Sequence, residues 1–159
     1  MINVGDKLPE VGFKVMGSNG PEALSAQDLF AGKKVVLFSL PGAFTPTCSA
    51  KHLPGFVANF DALKAKGVDT IGCVAVNDAF VMDAWGKAQE VGDKVMMLAD
   101  GSAEWSKAVG LELDLVAAGM GVRGQRFAMI IEDGVLKDLA VEEGGAFDVS
   151  SAESVLSRL

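Results

Sequence analysis

The sequence predicts an α/β protein, with helices packed on a central sheet that is parallel for most of its strands and mixed toward the C-terminus. Three observations predict it. Short β-branched and aromatic runs alternate with helix-patterned stretches through the first two thirds of the chain, which is the mark of βαβ units. Two further apolar runs then meet at "EDG", a tight-turn signal. A last amphipathic stretch, "SSAESVLSRL", closes the chain.

"KKVVLFSL" (Lys33 to Leu40) is a short, nearly continuous apolar run, as expected of a strand buried on both faces. Beyond Cys48, Phe56, Phe60 and Leu63 recur at helical spacing, so "GFVANFDALKAKG" is a helix that ends at Gly67. Pro54 removes a backbone donor and is expected to kink that helix near its start, with Cys48 in or just before the first turn. "VDTIGCVAV" (Val68 to Val76) and "KVMMLAD" (Lys94 to Asp100) read as two more strands. Between them, "DAFVMDAWGKAQEV" reads as a helix capped by Asn77 or Asp78. "SAEWSKAVGL" opens with Ser102 and Glu104 and reads as another short helix. "RFAMII" and "VLKDLAV" form a hairpin in which Gly134 supplies positive φ. Ser150 or Ser151 is expected to cap the final helix. The glycine-rich "AAGMGVRG" lacks the spacing and setting of a nucleotide loop and reads as a flexible connection.

With 159 residues and no repeat, linker or low-complexity tract, residues 1–159 are expected to form one domain. Half of the residues are hydrophobic, but no uninterrupted apolar run approaches the roughly 18 needed for a membrane span. "MINVGDKLPEVGF" has no apolar signal segment, so the expected location is cytoplasmic, although a trimmed organellar form would look the same. A net charge of −7 argues against nucleic acid as a partner. Two cysteines do not make a disulfide scaffold, and a single histidine leaves too few ligands for a zinc site. Any thiol chemistry rests on Cys48 or Cys73.

Cys48 lies at the junction of a strand and a helix. A free thiol is only a few per cent ionised at neutral pH, and the unpaired N–H groups of a first helical turn favour its anion. Position alone does not make a fast thiol enzyme, because nucleophilicity falls as the anion is stabilised. The neighbouring residues offer further groups. Thr45 has a hydroxyl that both donates and accepts, and Pro41 and Pro46 stiffen the loop. Arg123 and Arg126 precede an apolar strand, where a buried arginine calls for an anion.

"PGAFTPTCS" resembles the active-site signature of peroxiredoxins, with Pro41, Thr45 and Cys48 at the motif positions. "GAFTPTCSAKHLPGF", "VNDAFVMDAWG" and "RFAMIIEDG" resemble the type II, or five-type, subgroup, and the likeness runs along nearly the whole chain. The resemblance implies a thioredoxin-like fold. It also implies reduction of hydrogen peroxide and alkyl hydroperoxides without a cofactor, and a homodimer. On the same footing Cys48 would be the peroxidatic thiolate, Thr45 would hydrogen-bond thiolate and substrate, and Arg126 would stabilise the developing charge. Pro41, Gly42, Phe44, Pro46, His52 and Arg123 would line or support the pocket. Some members carry a resolving cysteine where this chain has "GGAFDVSSAES", which has none. The sulfenic acid is therefore expected to be resolved by an external thiol, with glutathione and glutaredoxin preferred and thioredoxin as second choice.

Other readings stand beside these. Cys73 fits a strand core more simply than a resolving role. His52, four residues after Cys48, would make a Cys–His hydrolase pair if it served as base. Arg123 is either a solvated loop charge or a partner to Arg126. Phe44 is either packing or, exposed beside the loop, a dimer contact. At the level of function, a thiol–disulfide oxidoreductase is disfavoured by Thr45-x-x-Cys48 standing in place of C-x-x-C. A redox sensor or holdase would use oxidised Cys48 to control association.

Overall fold

A computed structural model describes all 159 residues. Nine strands and six helices run in the order β1 (Phe13–Gly17), β2 (Gly20–Leu24), α1 (Ala26–Phe30), β3 (Lys34–Ser39), α2 (Leu53–Ala58), α3 (Phe60–Ala65), β4 (Thr70–Ala75), α4 (Ala79–Ala88), β5 (Met96–Ala99), α5 (Glu104–Ala108), β6 (Glu112–Leu115), β7 (Gly121–Gly124), β8 (Phe127–Glu132), β9 (Val135–Val141) and α6 (Ala152–Arg158). Seven strands form one sheet in the order β2-β1-β5-β4-β3-β8-β9. The central trio β5, β4 and β3 is parallel, while β1 and β8 flank it antiparallel. This is the thioredoxin-like, mixed-sheet α/β fold that the resemblance implied.

Alternation along β3 explains the two-sided core. Val36 and Phe38 face one layer, with Leu40, Cys48, Phe56, Cys73, Met82 and Trp85. Val35 and Leu37 face the other, with Phe13, Leu29, Trp105, Phe127 and Leu136. A strand covered on both faces must be apolar throughout, which is why "KVVLFS" shows no alternation. The parallel strands place the loop after β3 and the start of α4 at the same sheet edge, and the candidate site lies there. No helix is long and apolar enough to cross a membrane.

The three expected strands, the helix capped by Asp78, and the β8–β9 hairpin are present. The hairpin turns on Asp133 (φ 48°) and Gly134 (φ 77°), and Ser151 caps α6 by accepting from the Ser154 amide. Four features differ from expectation. The N-terminal hairpin β1–β2 and α1 were not read from the sequence, because their short half-exposed runs have weak periodicity. "AAGMGVRG" is not a flexible connection: a 3₁₀ turn (Val116–Ala118) and Gly119 in the left-handed region fold it back, so that β7 pairs with β6.

The helix after Cys48 also differs. The chain is helical from Pro46, widens to a π turn over Cys48–His52, and continues as α2. It breaks at Asn59, whose backbone leaves helical geometry, rather than at Pro54. Pro54 directly follows the π turn, a widening of the helix that accommodates its missing N–H. Finally, α5 begins at Glu104 rather than at Ser102. Ala103 precedes the helix with φ 58°, and the buried Asp100 carboxylate accepts from the amides of Trp105 (3.0 Å) and Ser106 (2.9 Å) and from Ser106 Oγ (2.7 Å).

Asp100→Ala leaves those buried donors unsatisfied and is expected to cost about 2 kcal/mol of unfolding free energy in urea titration. A change below a few tenths would show that α5 does not depend on this cap.

Candidate active site

The loop that follows β3 carries the thiol. Pro41 ends the strand, and Pro46 opens the helical turn as a residue that needs no amide partner there. Cys48 is the third residue of that turn, among amides with no helical acceptor. Three contacts hold the loop. The Ala43 amide donates to Asn77 Oδ1 (2.9 Å), the Thr45 hydroxyl donates to the Gly42 carbonyl (2.7 Å), and Trp85 Nε1 donates to Ser49 Oγ (3.1 Å). Phe44 sits in the left-handed region at φ 64°, a strained conformation for a bulky side chain. Its exposed ring leans toward Trp85 at 6.4 Å.

Arg126 occupies the short link between β7 and β8. Its Nη2 donates to Cys48 Sγ at 3.1 Å, and its Nη1 donates to His52 Nδ1 at 2.7 Å. On the far side of the imidazole, His52 Nε2 lies 3.0 Å from the Ser150 carbonyl. These partners assign the tautomer. A carbonyl only accepts, so Nε2 carries the proton; a guanidinium only donates, so Nδ1 is bare. The imidazole is neutral. Burial, followed by the Arg126 charge, pushes its pKa down to about 3, against smaller opposing effects of the Ser150 carbonyl and Glu142. Phe38 lies tilted at 4.9 Å on one side of the ring, and Phe147 meets it edge-on at 5.1 Å. The guanidinium also sits 6.0 Å from the Phe147 centroid.

Cys48, Arg126 and His52 are therefore brought together, in a different arrangement from a hydrolase pair. Both ring nitrogens of His52 are engaged elsewhere, so it has no free lone pair to act as base toward Cys48. Thr45 is in the loop, but its hydroxyl proton is directed to Gly42 and it makes no hydrogen bond to the sulfur. Arg123 is not a partner of Arg126. Its Nε donates to the Met120 carbonyl (2.8 Å) and its Nη1 to the Pro41 carbonyl (3.3 Å), clamping the loop from the β6–β7 ribbon. A Cβ on Gly42 would lie 2.7 Å from that Nη1, which explains the glycine.

Cys48 and Cys73 are both free and fully buried, in the same apolar layer. Burial pushes the Cys73 thiol up, and Cys48 adds to the effect while Arg126 partly opposes it. A thiol kept protonated in this way is a poor nucleophile, in keeping with a packing role. No three His, Cys, Asp or Glu side chains are grouped to hold a metal ion. A surface hollow of about 860 Å³ between β1, β5 and the end of α4 includes none of the site residues. Sequence reasoning missed Asn77 as a loop anchor, having read it as a candidate cap. It also missed Glu142, Phe147 and the Ser150 carbonyl, whose roles depend on where a long loop returns.

The depressed His52 pKa has a definite sign in folding. Between about pH 6.5 and 3 the unfolded chain binds this proton and the folded chain does not. Stability from this residue is thus present above pH 6.5 and lost as pH falls toward 3, by up to about 1.4 kcal/mol per pH unit. The single histidine is expected to show no NMR titration step near 6.5 in the folded protein. A midpoint there would refute the buried neutral state.

The Redoxin family model matches residues 3–156. Peroxiredoxin-2B of Arabidopsis thaliana is 49% identical over 159 residues, covering 99% of this chain and 98% of that protein. Chloroplastic peroxiredoxin-2E of the same plant is 49% identical over 162 residues, covering 99% of this chain and 69% of that protein. The likeness thus extends to a chloroplastic protein. Reduced Prx3 of Vibrio vulnificus, solved in complex with hydrogen peroxide, superposes with a TM-score of 0.96 at 52% identity, covering 99% of each chain. With the family model and these relatives matched along nearly the whole length, the chain belongs to the redoxin family, in its type II peroxiredoxin branch.

Proposed function

We propose that this chain is a thiol-dependent peroxidase in which Cys48 is the reacting sulfur. The Cys48 thiolate attacks the terminal oxygen of hydrogen peroxide or an alkyl hydroperoxide. The O–O bond breaks, the hydroxyl passes to sulfur as a sulfenic acid, and the alkoxide or hydroxide leaves and takes up a proton. The observation that carries this reading is the 3.1 Å contact of Arg126 Nη2 with Cys48 Sγ. A fixed guanidinium favours the sulfur anion and faces the charge that develops on the breaking bond. The remaining lone pairs of the Thr45 hydroxyl are suited to accept from the peroxide O–H. Arg123 and Gly42 keep the loop in register, and Pro41 and Pro46 limit its freedom.

Recycling follows from what surrounds the sulfur. The loop from Glu142 to Ser151 has no cysteine, and Cys73 is a protonated core thiol. An external thiol must therefore attack the sulfenic acid, releasing water and forming a mixed disulfide that a second thiol reduces. We assign glutathione with glutaredoxin as that donor, with thioredoxin second. Because Cys48 has no exposed surface, a tripeptide thiol needs the π turn to open, and such turns are places where a helix yields easily. A homodimer is part of the same proposal. Phe44 beside the loop and Phe80 at the start of α4 are 57% and 64% exposed, an apolar pair at the rim of the site. The proposed compartment is a reducing one, consistent with two unpaired thiols.

Peroxide consumption with a thiol donor is expected to vanish in Cys48→Ser, and activity retained in that variant would end the proposal. Arg126→Lys is expected to slow sulfur oxidation by about 10²–10³-fold, the scale of losing one preorganised donor. In a panel of donors, turnover with thioredoxin but none with glutathione or glutaredoxin would overturn the donor assignment. Phe44→Asp is expected to shift the sedimenting species from dimer to monomer with the circular dichroism unchanged; an unaltered dimer would remove Phe44 from the interface.

A further inference from the structure

The Arg126 side chain closes a ring of contacts that returns to its own backbone. Glu142, just past the end of β9, donates its amide to the Arg126 carbonyl at 2.9 Å. Its carboxylate oxygen Oε2 accepts from the Asp148 amide (2.6 Å), the Ser150 amide (2.9 Å) and Ser150 Oγ (2.6 Å). Ser150 then accepts from His52 through its carbonyl, and His52 accepts from the Arg126 guanidinium. Both ends of Arg126 are thereby referred to one carboxylate. The backbone end is held directly, and the tip is held through Ser150 and His52.

Apart from Arg158 Nη1, which donates to the Val149 carbonyl at 3.1 Å, the segment between has few other ties. Residues 143–149 contain no helix or strand and are largely exposed, with only Phe147 turned in toward His52 and the guanidinium. Three donors converging on one oxygen require an ionised acceptor. Burial alone would raise the Glu142 pKa, yet the hydrogen bonds from Ser150, Asp148 and Val149 outweigh it and hold the carboxyl below its usual range. The carboxylate is thus in place at neutral pH. A simple loop staple would do no more than close residues 142–150. Here the staple ends on the one carbonyl that selects the His52 tautomer.

We propose that Glu142 is a positioning residue for the peroxide reaction. By fixing the 142–150 loop it sets the Ser150 carbonyl, hence the His52 tautomer and the aim of the Arg126 guanidinium at Cys48. The proposal rests on the peroxidase reading above and names a group that never touches substrate.

The test compares Glu142→Gln, and the milder Ser150→Ala, in the native and the Arg126→Lys backgrounds. Oxidation of Cys48 by hydrogen peroxide is followed in a single turnover as the gain of one oxygen atom in the intact mass. In the native background Glu142→Gln is expected to slow that step about tenfold or more, the scale of a small misplacement of a reacting group. Ser150→Ala, which keeps the carbonyl but loses one donor to the carboxylate, slows it less. In the Arg126→Lys background the same changes add less than about twofold, because the arm they steer is gone. Nitrogen NMR of the only histidine reads the intermediate link: the native protein shows the single Nε2-protonated tautomer, and Glu142→Gln loses it.

Equal slowing in both backgrounds overturns the proposal, as does an unchanged rate or a slowed rate with the tautomer intact. If Glu142→Gln does not fold, Ser150→Ala decides by the same criteria. Native protein whose Cys48 resists peroxide would instead sink the peroxidase reading, and the tautomer measurement would then judge the ring alone.

Discussion

A half-buried guanidinium with no carboxylate partner is the constraint around which this site is built. Burying a cation is costly unless a counter-charge or dense hydrogen bonding offsets it. Arg126 forms no ion pair with Asp or Glu; its neighbours are a sulfur, a neutral imidazole and an aromatic face. Among the groups its tip touches, only Cys48 can carry a negative charge. Arginine suits this role because its planar fork reaches sulfur and imidazole at once with two different nitrogens, which an ammonium does less well. The same constraint explains the state of His52. A second cation at 2.7 Å would repel the first, so burial and Arg126 together keep the ring neutral.

The backbone bears the cost of this arrangement around the loop. Phe44 is held in a left-handed conformation, a side chain at Gly42 would displace the Arg123 tip, and the helix that carries Cys48 widens to a π turn at that residue. Each departure is held by a specific tie: Asn77 on the Ala43 amide, Arg123 on the Pro41 carbonyl, and Trp85 on Ser49. Strain of this kind persists only where the surroundings over-determine it, and it is common where a reactive group must be aimed. A sulfur without exposed surface also sets two different demands. A small peroxide needs only slight movement of its neighbours, whereas a bulky thiol needs the turn itself to give.

The C-terminal loop links chemistry to lineage. In type II relatives that carry a resolving cysteine, the resemblance places it in the stretch corresponding to "GGAFDVSSAES". Here that stretch has no thiol, and its Asp148 and Ser150 are tied to Glu142 and His52. On the proposed reading it supports the first half of a peroxidase cycle and leaves the second half to another molecule. The surrounding fold differs little from that of Prx3 of Vibrio vulnificus, at a TM-score of 0.96.

The sequence by itself determined the parallel core strands, the helix after Asp78, the closing hairpin and the cysteine at a strand-to-helix junction. Each is written in local periodicity, capping or turn chemistry that does not depend on distant partners. It did not reveal the β1–β2 and β6–β7 hairpins, whose strands are short and half-exposed and gain their pairing from the sheet edge or from each other. Among the site residues, Cys48 was legible from its strand-to-helix setting and Arg126 as one of two arginines before an apolar strand, the choice between Arg123 and Arg126 coming from the family resemblance. Which atom of Arg126 meets the sulfur was decided only in three dimensions, as was the fact that His52 holds the arginine rather than the cysteine. Those contacts join residues 74, 78 and 98 positions apart in the chain. No local pattern encodes them; they arise when β8, the π turn and the loop before α6 meet at one edge of the sheet.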